Sequence, residues 1–187
     1  MSRLDHLWHK WRAIAALVLG RRAAALAIFD QMLARWTDDA YALASRTQLH
    51  AEAGRRDAAL ADSQRLVALQ PANAHAWFNH GFLLEEAGQL DEALAAFRRA
   101  TELSPKLDRA WYGLGLTLIR LHRFDEAVAA LKRNTELQPM SPYGWYQLAR
   151  VHVDRQNPEE AVKIIRHLKG FEPKVAAQLE RETGLLA

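Results

Sequence analysis

Pro71, Pro105, Pro139 and Pro173 stand 34 residues apart, and Ala59, Ala93, Ala127 and Ala161 keep the same interval in phase with them. A period of this length belongs to small supersecondary units that cannot bury an apolar face alone. Each unit completes its core against its neighbour, so the chain stacks in a line rather than collapsing around one centre. Aligned on this interval, the sequence divides into five units, 6–39, 40–73, 74–107, 108–141 and 142–175, with a capping segment 176–187. The expected organisation is one repeat domain over 1–187.

Within each unit apolar residues recur at three- and four-residue spacing and are interrupted by a short polar turn, such as Ala87-Gly88-Gln89 or His122-Arg123. Each unit is therefore two helices. Asp39, Asn73 and Ser141 share one repeat position as N-cap candidates, with Pro142 at a first helical position. Leu107 breaks that series, and the cap is expected one residue later at Asp108. The pairs Asp91-Glu92, Asp125-Glu126 and Glu159-Glu160 open second helices, where negative charge meets the positive end of the helix dipole. Trp77, Trp111 and Trp145 occupy one position, and Gly81, Gly115 and Ala149 another four residues on. Large beside small suggests a ring inserted where a facing backbone comes close, hence core positions.

These residues resemble the tetratricopeptide repeat family. Unit 74–107 carries the resemblance best, through Trp77, Gly81, Leu84, Ala93, Phe97, Ala100 and Pro105, with His80 where the family usually has Leu. Unit 108–141 keeps Trp111, Leu114, Gly115, Ala127 and Pro139 but has Leu131 for the aromatic and Asn134 for the second small residue. In unit 142–175, His152 and Ile165 stand at positions often given to aromatics. Unit 40–73 retains Gly54, Ala59 and Pro71, and unit 6–39 only Gly20, Ala25 and Phe29. The resemblance implies an all-α α-solenoid of about five stacked helix-turn-helix repeats. Val175 to Thr183 reads as one more helix, stopped near Gly184, that covers the last pair, with Leu185 and Leu186 folded back or exposed.

Composition adds limits rather than a function. Half of the residues are apolar and a quarter charged, as in ordinary globular helical proteins. Lys and Arg number 25 against 22 Asp and Glu, a net charge of +3 spread thinly along the units, so no stripe marks a nucleic-acid surface. With no cysteine, neither a disulfide framework nor a thiolate metal site is possible. There is no phosphate-binding glycine loop, no metalloprotease histidine pair and no nucleophile elbow. An enzyme is not expected, and neither a cofactor nor a metal. His6 and His9 lie three apart with no third ligand placed by the sequence, and His50 and His152 read as satisfied, half-buried packing residues. The apolar run Ala13 to Leu19 is too short to span a bilayer and keeps the repeat phase, so residence in the cytoplasm is the default.

The resemblance also implies where a partner would bind. In this family the first helices of successive pairs line a concave groove. The register directs His75, Phe78, Asn79, Phe82 and Glu85 into it from unit 74–107, Arg109, Tyr112, Leu116 and Ile119 from unit 108–141, and Tyr143, Tyr146, Gln147 and Arg150 from unit 142–175. Such a lining suits a protein partner's extended or helical segment, with apolar anchors and an acidic flank. Some relatives clamp a C-terminal carboxylate with five polar residues. Asn79 and Arg109 fall on two of those positions, but Ala44, Gln48 and Gly113 fill the others, which removes the flanking cations. A second reading comes from Leu4, Leu7, Trp8 and Trp11 interleaved with Arg3, Lys10 and Arg12, a pattern suited to a peripheral membrane helix. The competing expectation is that Trp8 and Trp11 pack on unit 40–73 in place of its missing tryptophan. Trp8, Trp11 and the Leu185-Leu186 tail are also candidate contacts for self-association.

Overall fold

In a computed structural model, residues 3–186 are described and form eleven α-helices with no strand among them. In chain order these are α1 (Arg3–Val18), α2 (Arg22–Arg35), α3 (Ala40–Glu52), α4 (Arg56–Leu69), α5 (Ala74–Glu86), α6 (Leu90–Leu103), α7 (Asp108–Arg120), α8 (Phe124–Leu137), α9 (Pro142–Asp154), α10 (Pro158–Lys169) and α11 (Pro173–Thr183). The chain divides into two compact units, Met1–Ala87 and Gly88–Ala187. In each, every helix packs on its sequence neighbours, the helix-turn-helix stacking of an α-solenoid; in the second unit α11 also packs back on α9. The 34-residue interval holds in the backbone, since α3, α5, α7 and α9 are each 13 residues long and begin at 40, 74, 108 and 142.

The repeated alanine explains the pairing. Ala25, Ala59, Ala93, Ala127 and Ala161 are all fully buried, so the paired helices meet where one of them has only a methyl group. The first unit's core gathers Phe29, Met32, Leu43 and Val67; the second buries Phe97, Leu118, Leu131, Leu148 and Ile165. Each such side chain stabilises by about 1.5–3 kcal/mol relative to leaving it in water.

The tryptophans behave differently from the expectation. Trp77, Trp111 and Trp145 are only half-buried, and each donates its indole N–H to the carbonyl of the proline six residues earlier: Pro71 at 3.0 Å, Pro105 at 3.0 Å and Pro139 at 2.9 Å. Each tryptophan thus meets the proline of its own period through the backbone carbonyl, not through the ring. The close approach to the small position comes from elsewhere. A Cβ on Gly115 would stand 2.7 Å from Leu131 Cγ, so Leu131, at the register of Phe97, fills that gap.

Other boundaries need correction. Asp39 accepts from Ala42 N–H, and Asn73 from His75 and Ala76 N–H, as capping residues should. Ser141 precedes Pro142 at the expected place but makes no side-chain cap bond. Asp108 is the first residue of α7, not its cap; Leu107 holds the cap position because its buried side chain keeps the repeat in phase. The acidic pairs lie in the first turns of α6, α8 and α10. α1 begins at Arg3 and α11 at Pro173, both earlier than the repeat alignment placed them. Gly184 caps α11 at φ 69°, Leu185 is half-buried and Leu186 is exposed.

Candidate functional site

Unit Met1–Ala87 presents a cavity of about 410 Å³ between α3 and α5. Phe78 and Phe82 form an aromatic wall, Leu66, Ala76 and Leu83 add apolar surface, and Thr47, Gln48, Ser63 and Asn79 supply hydrogen-bonding groups. Its carboxylates are Glu52, which Arg22 meets at 3.2 Å and Gln48 at 3.0 Å, and Glu86. Helical spacing does the positioning, since Phe78 and Phe82 lie four apart on one face of α5. Of the residues expected here, Phe78, Asn79 and Phe82 line the cavity, whereas His75 is exposed outside it. Ala44, Gln48 and Asn79, three of the carboxylate-clamp positions, line it too, but beside them stand carboxylates rather than cations.

A second cavity, of about 480 Å³, lies in unit Gly88–Ala187. Tyr112, Tyr143, Tyr146 and Gln147 come together there with Pro142 and with Glu172, Val175 and Gln178 at α11. Burial raises the Tyr112 phenol above its ordinary range, while a hydrogen bond with Gln147 acts the other way. Arg109, Leu116, Ile119 and Arg150 do not line this cavity. Arg150 is held by Glu182 of α11, 3.3 Å away, and Tyr146 donates its hydroxyl to the same carboxylate at 2.5 Å. That bond, followed by one from Gln178, keeps Glu182 below the usual carboxylate range. The sequence reading missed this closure. Its signal was the i, i+4 pair Gln178 and Glu182 on a helix whose polar face has to meet something.

A polar cluster replaces the apolar register in the first unit. Arg46 stands where α7 and α9 carry Leu114 and Leu148, and Asp62 where α6 and α8 carry Ala96 and Ala130. Arg46 donates to both oxygens of the buried Asp62, at 2.6 and 2.7 Å, and to Asp30 at 2.8 Å, which holds its guanidinium charged. Ser63 takes the place of Phe97 and His80 that of Leu114. The Ser63 hydroxyl is used on the Leu60 carbonyl at 2.9 Å, so His80 Nδ1–H donates to Ser63 Oγ at 2.8 Å. Paired departures from a repeat register were the available sign of these contacts.

His6 and His9 make contacts within their own unit. His6 pairs with Asp39, His9 bonds the Asp5 carbonyl at 2.9 Å, and both rings meet Trp36 edge-on. His9, not a tryptophan, holds the unit's register position and is buried, while Trp8 and Trp11 are exposed. His50 and His152 are not satisfied as expected, since Nδ1 of each is buried without a hydrogen-bond partner. Among the described residues no group of three or more His, Cys, Asp or Glu could hold a metal ion.

Models described as tetratricopeptide repeat match residues 47–111, 84–146 and 11–31, which together span well over half of the chain. Curated protein sequences give no significant match. The structure is similar to a crystal structure of MamA (TM-score 0.84, 16% identity, 97% of each chain covered) and to MamA from Desulfovibrio magneticus RS-1 (0.80, 19%, 96% and 97%). It is similar also to YrrB, described as a TPR protein with an unusual peptide-binding site (0.81, 20%, 90% of this chain and 88% of that one). At these identities the likeness concerns the fold.

Proposed function

The chain belongs to the tetratricopeptide repeat family, and from that premise we propose that it is a non-catalytic interaction module, an adaptor, scaffold or assembly factor, which holds a partner's peptide or helix against the first helices of its repeats. The observation that carries the reading is the cavity between α3 and α5, with Phe78 and Phe82 on one wall and the amide groups of Gln48 and Asn79 beside them. Rigid rings offer large contact area, and amides satisfy the backbone of an extended segment. The peptide-binding site for which YrrB is described supports the same use of the fold.

The charges refine the partner's chemistry. Arg150 is already paired with Glu182 and Glu52 with Arg22, while Glu86 edges the first cavity, so the occupant carries an apolar anchor with a lysine or arginine near Glu86 rather than an acidic flank. No cofactor is needed for such a role, and the balanced charge gives no reason to invoke nucleic acid. Among the described residues no helix is long and apolar enough to cross a membrane.

The test uses the chain as bait in lysate of its source beside a Phe82→Ala/Tyr143→Ala variant, both of whose rings are largely exposed. A protein retained by the first and lost by the second, at equal helicity, is the expected result. Identical retention by both baits overturns the reading.

A further inference from the structure

The helix α1 has two apolar faces. One buries His9, Ala13 and Ala16 against the rest of its unit. The other runs along Leu4, Trp8, Trp11, Ala15 and Val18, spaced four, three, four and three apart, and is left in solvent: Leu4 is 76% exposed, Trp8 62%, Trp11 60% and Val18 81%, with Leu7 beside them. At 100° per residue this stripe lies nearly opposite the buried face. Arg3 and Lys10 fall on one edge of it and Arg12 on the other, while the one carboxylate of the helix, Asp5, is held by Arg35 and His9.

What covers the stripe is decided by size and charge. Trp8 sits at the repeat position of Ala42, Ala76, Ala110 and Gly144, all buried where a preceding helix packs. A Cβ on Gly144 would come within 2.2 Å of Asn134 Oδ1, which shows how little room helix stacking leaves there. An indole at that position blocks the close approach of another helix. A second copy of α1 would also set cations against cations. A medium that accepts a protruding indole, has no fixed shape and carries negative charge meets both conditions.

We propose that α1 docks this protein on an anionic lipid bilayer, with Leu4, Leu7, Trp8, Trp11 and Val18 entering the interface and Arg3 and Arg12 meeting the headgroups. The helix lies in the plane of the surface and does not span it, in keeping with its 16 residues. The docking face is separate from the cavity between α3 and α5, so it stands independently of the groove reading.

The experiment is co-sedimentation of the purified full chain with vesicles of phosphatidylcholine with and without phosphatidylserine, read together with tryptophan emission. Binding to the anionic vesicles at low salt, a blue shift, and weakening by salt are expected. Trp8→Ala/Trp11→Ala and, separately, Arg3→Glu/Arg12→Glu should each lower binding by about tenfold or more at unchanged helicity, because interfacial rings and cations contribute separately. Phe82→Ala/Tyr143→Ala should bind vesicles as the parent does. Failure to bind anionic vesicles at low salt, equal binding to neutral ones, or indifference to the tryptophan pair overturns the proposal. Concentration-dependent self-association that is lost with the tryptophans, in the absence of vesicle binding, assigns the stripe to a second copy instead.

Discussion

Arg46 grips Asp62 through two hydrogen bonds, of 2.6 and 2.7 Å, at register positions where unit 108–141 carries Leu114 and Ala130. Asp62 is 4% exposed, so its charge is tolerated only because the guanidinium is there. Arg46→Leu alone should therefore cost about 3–5 kcal/mol, since it strands a buried carboxylate. The double change Arg46→Leu/Asp62→Ala gives this place the residues of unit 108–141 and should be near neutral or stabilising. Urea unfolding of the two variants checks this. A double variant as unstable as the single one would mean that the pair is not an exchangeable insert.

This pair marks the limit of what the sequence makes legible. Period and helix number follow from side chains that must recur for helices to stack, so Ala127 or Pro139 announces its place. Groove candidates on α5 and α9 follow from the same register. The contacts between α11 and α9 do not, because Glu182 lies beyond the last repeat, at a register position that holds Leu114 and Leu148 in the two repeats before it. Nor does the role of Trp111, whose half-buried ring is fixed by a backbone carbonyl, an acceptor that every residue offers and no side chain advertises. The exposure of Trp8 and Trp11 likewise depends on His9 and Trp36 having taken the inner positions.

His122 and Gln156 adopt φ of 56° and 57°, at the turn position that Gly20, Gly54 and Gly88 occupy at 68–77°. A residue with a Cβ pays about 1–2 kcal/mol in this region, and glycine returns part of it through its freer unfolded chain. His122→Gly and Gln156→Gly should each stabilise the protein by about 0.5–1 kcal/mol. A rise in the urea midpoint without a change of slope is the expected reading. A fall would show that the side chains contribute more than the strain costs.

Ala127 is fully buried where α8 meets its neighbours. Ala127→Leu adds three carbon atoms with no cavity to receive them and should cost roughly 1–3 kcal/mol through displaced rotamers and backbone. Thermal unfolding gives the measurement, and a neutral outcome would contradict the close approach of these helices.

Stability should fall on mild acidification. Burial is the main cause that holds His80, His50 and His152 below the ordinary imidazole value of 6.5, with Arg55 adding to the effect at His50 and Arg155 at His152. The unfolded chain takes up protons near the ordinary value, whereas the folded chain resists until the pH is lower. Between those points the unfolded state binds more protons, so stability is complete above the ordinary value and is lost as pH falls through it. Melting temperatures at about pH 7.5 and 5.5 should therefore differ, the higher being at the higher pH. His80→Leu places the register residue in the core and leaves Ser63 its bond to the Leu60 carbonyl, so the variant should show a shallower pH dependence than the parent. An unchanged slope would assign the effect to His50 and His152, whose Nδ1 atoms are buried without partners.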